Sequence, residues 1–191
     1  MDLDSAVTRP AHDRILDAAS RLFYRDGFRA VGVDRIIAES GVSKLTLYRH
    51  FPSKDALIVA YLERSNQQFW TWLNRETIGV RDPKAKLLAI FKAVGKLAGS
   101  PECLGCTFQG TAAEFPDVEH PGHRIALAHK RVVVDLLASL ARKARLRNPH
   151  GLAEELLLLM DGAWVAARMF GRKNPATHVA DAARILVDAH R

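Results

Sequence analysis

The chain is poor in the features that mark several common classes of protein. It has only two cysteines among its 191 residues, Cys103 and Cys106, which is too few for a disulfide framework. Its longest apolar runs are far too short to cross a bilayer, and its first residues, Met-Asp-Leu-Asp-Ser, lack the basic and apolar regions of a signal peptide. We therefore expect a cytoplasmic protein with no membrane partner.

Catalytic and metal-binding patterns are also scarce. No Ser/His/Asp, paired-carboxylate or phosphate-loop arrangement argues for an enzyme. Cys103 and Cys106 form one Cys-x-x-Cys without a second cysteine pair, and His120 and His123 are the only histidines close to it. The pair could act as a redox switch or as half a metal site, but packing beside a loop explains it better. We predict no catalytic residue, no metal and no cofactor.

The charge of the chain points to an anionic partner only in a general way. The net charge is +7 and the isoelectric point is about 9.7. Residues 1–60 nevertheless hold nine Lys/Arg and eight Asp/Glu, so most of the excess lies downstream, as in Arg142, Lys143, Arg145 and Arg147 near the end of a long predicted helix. The local arrangement of cations is therefore more informative than their number.

Apolar residues at helical spacing, divided by glycine and proline, predict an all-α chain. The predicted helices cover residues 10–26, 34–40, a short segment after the N-cap Ser43, 54–76, 83–98, 122–147, 152–170 and 176–189, and residues 99–122 are predicted to be broken. In the helix over 122–147, the side chains predicted to face inward are Ile125, Val132, Val133, Leu136, Leu137 and Leu140.

Residues 41–57 are the most informative stretch. After the Gly41 turn comes a very short helix, and its neighbours Val42 and Phe51 with its own Leu47 are just enough to anchor it on other helices. Its remaining side chains form a surface of donors and cations made of Lys44, Thr46, Tyr48, Arg49 and His50. Such a surface is what a helix reading the DNA major groove needs, and the preceding helix completes a helix-turn-helix.

The order of several sequence segments in residues 15–57 matches one known family. The match is carried by Ile15-Leu-Asp-Ala-Ala with Leu22-Phe23 and Gly27-Phe28, by Val33-Asp34-Arg35-Ile36-Ile37-Ala38 with Gly41-Val42-Ser43-Lys44, and by Thr46-Leu47-Tyr48-Arg49-His50-Phe51 with Ser53-Lys54-Asp55-Ala56-Leu57. On these residues the chain resembles the TetR/AcrR family of bacterial transcriptional regulators. Leu45 departs from the glycine usual there, and it either touches a thymine methyl or packs inward. Val31-Gly32 replaces the usual Thr or Ser.

The resemblance implies roles for individual residues on DNA. Base edges are expected near Lys44, Leu45, Thr46 and Arg49, after the N-cap Ser43. Contacts to the DNA backbone are expected from Tyr48, His50 and Lys54, and Arg35 either contacts phosphate or is solvated. Lys54 stands at a helix N-terminus, where a bound phosphate would meet both the lysine and the helix dipole.

The resemblance also implies a small-molecule effector in the second part of the chain. Side chains that could line an apolar pocket there are Phe91, Phe108, Phe115, Met160 and Trp164. His129 lies one turn after Ile125 on the apolar side of its helix. Each aromatic residue could equally be plain core, and His129 could be a buried, satisfied histidine.

The helix over 152–170 is apolar nearly all round, because Leu156 to Met160 are consecutive. A helix of this kind is covered on two sides, and a second copy of the chain could supply one of them. The alternative is a central core helix within one chain. We predict a homodimer through the helices over 152–170 and 176–189.

Together these patterns predict an N-terminal three-helix DNA-binding domain over residues 1–53 and a helical effector-binding and dimerisation domain over residues 54–191. The predicted function is a ligand-responsive repressor that binds a palindromic double-stranded DNA operator as a homodimer. The alternatives are an activator or other DNA-binding protein without a ligand, and, least favoured, a thiol oxidoreductase that uses Cys103 and Cys106.

Overall fold

A computed structural model describes residues 9–191, except for the side chain of Arg172, and shows helices with no strand in that part of the chain. Residues 1–8 of the predicted first domain lie outside this description. The helices are α1 (Ala11–Asp26), α2 (Val33–Ser40), α3 (Lys44–His50), α4 (Lys54–Thr77), α5 (Pro83–Ala98), α6 (Thr107–Glu114), α7 (Pro121–Lys143), α8 (Pro149–Phe170) and α9 (Val179–Ala189). Short 3-10 turns over Gly171–Lys173 and Pro175–His178 join the last two.

Side-chain caps fix where several helices begin. The hydroxyl oxygen of Ser43 accepts the N–H of Thr46 at 3.1 Å, and that of Ser53 accepts the N–H of Ala56 at 3.0 Å. Asp82 caps α5 in the same way through the N–H of Ala85, at 2.7 Å. These caps satisfy backbone donors that have no partner within the helix, so the predicted starts of α3, α4 and α5 are confirmed.

The helix prediction for the chain after α5 needs correction at several points, and the last helix begins at Val179 rather than at residue 176. The segment over 99–122 contains α6, which the glycines and prolines around it concealed. The helix predicted to reach 147 ends at Lys143, because Arg145 takes a left-handed φ of 56° and turns the chain. Asn148 and Pro149 begin α8 rather than merely breaking the chain, since the Asn148 side chain caps that helix and proline suits its first position.

The first core packs α1, α2 and α3 against the beginning of α4. Leu22, Phe23, Ile36, Leu47 and Phe51 are all buried there, whereas Val42 and Ile37 are only partly buried. The same cluster continues through α4 to Leu62 and reaches Phe108 of α6 and Ala126 of α7. Helix α4 therefore joins the helix-turn-helix to the rest of the protein.

The second core is formed by α4, α5, α7, α8 and α9, with α8 in contact with α5, α7 and α9. Val133, Leu137 and Leu140 of α7 are buried as predicted, but Val132 is 50% exposed. Val132 precedes Val133 by one residue and is therefore rotated about 100° around the helix, away from the core.

Helix α8 has apolar residues on two faces. Leu152, Leu156 and Met160 are buried within the subunit, whereas Leu158, Val165 and Met169 are 73%, 45% and 70% exposed. The exposed residues are separated by seven and four positions, so they form one stripe along the helix. One side of α8 is thus core and the opposite side is an exposed apolar surface.

Candidate DNA-binding surface and ligand cavity

Helix α3 is held by few apolar contacts and presents most of its side chains outward. Leu47 is buried, whereas the polar residues Lys44, Tyr48, Arg49 and His50 are exposed. Thr46 is half-buried, and its hydroxyl oxygen lies 2.8 Å from that of Ser43, within hydrogen-bond distance. Leu45 is 72% exposed, so of the two alternatives for this residue inward packing is excluded, and the side chain lies on the outer side of the helix. The surface has the mixture of cations, donors and one apolar side chain that base edges and phosphates can meet.

The cations near this surface differ in their partners. Arg35 pairs with Asp26 at 2.7 Å, and Lys44 lies 3.7 Å from Asp34. Neither Arg49 nor Lys54 has an ion-pair partner among residues 9–191. Arg49 is exposed, and Lys54 is half-buried in the first turn of α4. These two cations are therefore available to an external anion.

A contact network joins the end of α1 to α6. The carboxylate of Glu114, the last residue of α6, accepts the N–H of Phe28 at 3.0 Å and that of Arg29 at 2.7 Å. The side chain of Arg29 donates in turn to the Glu114 carbonyl at 2.9 Å. Gly27 sits beside this contact with a φ of 86°, and a Cβ there would come within 2.7 Å of the carboxylate. The turn after α1 is thus fastened directly to α6.

Tyr24 and Arg168 make a second connection at the same end of α1. The Tyr24 hydroxyl accepts the N–H of Leu104 at 2.8 Å and donates to the carbonyl of Gly105 at 3.2 Å. Burial raises the pKa of Tyr24 to about 12, so the hydroxyl keeps its proton. Arg168 of α8 reaches the carbonyls of Tyr24 and Arg25 at 3.4 Å, where a cation complements the helix C-terminus.

A cavity of about 460 Å³ lies between α1, α4, α6, α7 and α8. Four of the six predicted lining residues border it, namely Phe108, His129, Met160 and Trp164. Ser20, Arg21 and Tyr24 of α1 also line it, so its wall includes part of the DNA-binding region. The volume lies within the usual range for sites that take small organic ligands.

Phe91 and Phe115 do not line this cavity, which corrects their assignment. Phe91 is fully buried in the second core, among residues that fill the space between helices. Phe115 follows α6 on its far side, where its ring stacks on His120 at 4.0 Å and lies 5.6 Å from Phe28. The apolar character of these positions was foreseeable, but the direction of each side chain depends on how the helices cross.

The comparisons with known proteins agree with this arrangement. The model of the family described as "Bacterial regulatory proteins, tetR family" matches residues 15–61. The crystal structure of SCO4454, a TetR-family transcriptional regulator from Streptomyces coelicolor, is 30% identical and superimposes with a TM-score of 0.88, covering 94% of this chain and 95% of that one. The chain belongs to the TetR family.

HTH-type transcriptional regulators match over shorter lengths. An uncharacterised HTH-type transcriptional regulator of Mycobacterium tuberculosis, MT1294, is 32% identical over 57% of this chain and 54% of its own. The HTH-type transcriptional activator FasR of Mycolicibacterium smegmatis is 35% identical over 42% of this chain and 36% of its own. The chain thus spans about half or less of the length of these curated relatives.

As a member of the TetR family, the chain belongs to a family of helix-turn-helix transcriptional regulators. One residue that supports its candidate DNA-binding surface was missed in the sequence. The guanidinium of Arg14 donates to the carbonyl of Ser40 at 2.8 and 3.1 Å and to that of Gly41 at 2.6 Å. Gly41 itself has a left-handed φ of 64°. Arg14 therefore fixes the turn that aims α3, although it lies 26 residues earlier in the chain.

The face of α4 that lines the cavity was also missed. It consists of Tyr61, Ser65, Gln68, Phe69 and Trp72. Their spacing of four, three, one and three residues is that of one helical face, so the signal was present in the sequence. Tyr61 also joins α4 to α6, because its hydroxyl is 2.9 Å from that of Thr107.

Two further features of the cavity concern its chemistry. Burial, and secondarily the charge of Lys130, lower the pKa of His129 to about 4, so its imidazole is neutral near pH 7. Cys103 and Cys106 both line the cavity as free thiols.

No group of three or more metal-ligating side chains occurs in the described residues, and none of the helices described there is suited to span a lipid bilayer.

Proposed function

We propose that this TetR-family protein is a cytoplasmic, non-enzymatic repressor that binds a palindromic operator as a homodimer and is released by a small molecule. The observation that carries the proposal is the outward-facing α3, with Arg49 exposed and without an ion-pair partner in the described part of the chain. A short helix with this surface suits the major groove, where arginine can bind guanine through two hydrogen bonds. Lys44, Leu45 and Thr46 would lie near base edges beside Arg49. The helix would be positioned by Arg35, Ser43, Tyr48, His50 and Lys54.

The homodimer is supported by the exposed stripe of α8. The stripe consists of Leu158, Val165 and Met169, and on α9, which packs against α8, Ile185 is also 63% exposed. Monomeric proteins rarely expose a large contiguous apolar surface. Covering this one with the same surface of a second copy gives a two-fold dimer, in which two copies of α3 would stand about one DNA turn apart, near 34–36 Å.

Effector control is supported by the position of the cavity. Its wall includes Tyr24 of α1, and α6, which forms another part of it, carries Glu114 at its end. A ligand that alters the packing of α4 or α6 can thereby change the angle of the helix-turn-helix. It must bind the DNA-incompetent arrangement more tightly, since equal affinity for both arrangements shifts nothing.

An activator is the second candidate. One matching relative is named a transcriptional activator, and its match covers 42% of this chain. A promoter fusion in cells distinguishes the two. Deletion of the gene is expected to raise expression from the bound promoter, whereas a fall would identify an activator.

Operator binding tests the proposal through two cations with different roles. Arg49→Ala is expected to cost about 1–3 kcal/mol per specific contact and to relax the preference at one operator position. Lys54→Ala is expected to weaken binding to all duplexes and to reduce the slope of log K against log salt by about 0.9 for each phosphate that the lysine neutralises. The measurement is fluorescence anisotropy on duplexes selected from a random library.

Lys92→Ala provides the matched control, because Lys92 is an exposed cation of α5, outside the helix-turn-helix. It removes the same charge and should leave both the operator preference and the salt slope unchanged. If the salt slope of the Lys54→Ala protein equals that of the Lys92→Ala control, Lys54 does not contact a phosphate.

A further inference from the structure

The orientation of Asn66 fixes the proton on His129. The indole N–H of Trp70 donates to Oδ1 of Asn66 at 3.0 Å, and the same oxygen lies 2.7 Å from Nδ1 of His129. An indole nitrogen can only donate, so the Asn66 atom that it meets must be the oxygen. Because that oxygen carries no proton, Nδ1 of His129 must be the donor. In the neutral ring the other nitrogen, Nε2, is then a bare acceptor.

The ring of His129 is held rigidly in the cavity wall. Its face stacks on Phe108 with centroids 3.7 Å apart, and its edge meets Phe69 at 4.8 Å. The residue is only 5% exposed, and Nε2 has no hydrogen-bond partner among residues 9–191. Every fully buried side-chain nitrogen or oxygen in that part of the chain has one. Nε2 therefore retains access to open space, and the cavity is the open space that His129 lines.

The rest of the wall is mainly apolar, and its cations are already paired. Aromatic rings contribute much of the surface. Lys130 forms an ion pair with Asp161, and Arg21, which is 59% exposed, pairs with Glu39 at 3.4 Å. Glu102, an acidic residue of the wall, is exposed to solvent. An anionic ligand would therefore have to compete with one of these pairs or be left without a cationic partner.

We propose that the cavity binds an uncharged, mainly aromatic ligand that carries one hydroxyl or N–H group, which donates a hydrogen bond to Nε2 of His129. This inference rests on the proposed function only in identifying the cavity as the effector site. Planar rings suit a wall of aromatic side chains, which pair edge-to-face or by offset stacking. The acceptor Nε2 then selects among apolar molecules for those with a donor.

The same geometry disfavours charged ligands. A carboxylate has no proton to give to Nε2 at neutral pH, so its oxygen would face the lone pair of that nitrogen. An ammonium group could donate, but it would lie close to the charge of Lys130. Both would also lose hydration on entering a largely apolar cavity. The uncharged donor is the class that satisfies Nε2 without these costs.

Calorimetric titration of the purified full chain, without DNA, tests the inference. The probes are 2-naphthol, its methyl ether 2-methoxynaphthalene, which lacks the donor, and 2-naphthoate, which is an anion. We expect 2-naphthol to bind about tenfold more tightly than the ether, as one buried hydrogen bond allows, and more tightly than 2-naphthoate. His129→Phe, which keeps a ring but removes the acceptor, should bring the ratio of naphthol to ether close to one.

Met160→Leu is the matched control, because it changes another wall residue without touching a hydrogen bond and should keep the tenfold ratio. Equal binding of naphthol and ether by the unsubstituted protein, tighter binding of 2-naphthoate, or no binding of any probe would overturn the inference. The ratio in the unsubstituted protein is decisive even if His129→Phe does not fold. Since no DNA is present, operator binding can succeed or fail independently of this result.

Discussion

Leu158→Glu is expected to convert the protein into monomers and to abolish operator binding at concentrations where the unsubstituted protein binds. Leu158 is 73% exposed on α8, so glutamate there should change the stability of one subunit by only about 0.5 kcal/mol. In the proposed two-fold dimer, two such carboxylates would be buried in the interface, and each buried unpaired charge costs several kcal/mol. Dimerisation should weaken by on the order of a thousandfold or more.

Sedimentation and anisotropy measure the two effects on the same sample. Ile78→Glu is the matched control, because Ile78 is 82% exposed but lies after α4, outside the stripe. It should remain a dimer and bind the operator. If the Leu158→Glu protein sediments as a dimer, the interface lies elsewhere and α8 must owe its exposed apolar residues to another cause.

Acidification from pH 6.5 to pH 4 is expected to lower the free energy of unfolding by about 3 kcal/mol through His129 alone. Burial depresses its folded-state pKa from 6.5 to about 4. Between these values the unfolded chain binds a proton that the folded chain does not, so stability falls as the pH falls. The full contribution is present above pH 6.5, and its slope is about 1.4 kcal/mol per pH unit.

Urea unfolding at fixed protein concentration, followed by circular dichroism, gives this slope. His129→Gln is the comparison, because its amide can donate to Asn66 but does not titrate in this range. The difference between the two slopes isolates His129 from the carboxylates that titrate in both proteins. Parallel curves for the two proteins would mean that His129 is not a buried neutral imidazole.

The features that sequence predicted well depend on neighbours along the chain. Ser43 and Ser53 cap the helices that follow them, and Leu47 anchors α3 from within its own turn. The two caps join residues only three positions apart. The anchor needs only one apolar side chain that packs into a core. Periodicity and capping residues therefore suffice to predict the helix-turn-helix and its outward surface.

Helix α6 escaped prediction because its stability comes from distant contacts. It has eight residues including Gly110, which weakens a helix on its own. Phe108 packs into the first core, and Thr111 is fully buried. The carboxylate of Glu114 accepts the backbone N–H groups of residues 28 and 29. None of these partners is adjacent in sequence.

The cavity shows the same limit at the level of single side chains. Phe91 and Phe108 are both aromatic residues on apolar helix faces, yet only Phe108 borders the cavity. The pairing of His129 with Asn66 spans 63 residues and determines which ring nitrogen faces the ligand. Such relations follow from how helices cross, which apolar periodicity does not specify.

Guanine methylation protection on a selected duplex tests the central claim most directly, because N7 of guanine lies in the major groove. If two copies of α3 enter successive grooves, two clusters of protected guanines should appear about 10–10.5 base pairs apart. The Arg49→Ala protein, at a concentration that saturates the duplex, should lose protection at one guanine in each cluster. Protection confined to one cluster, or an unprotected major groove on a duplex that is fully bound, would contradict the account.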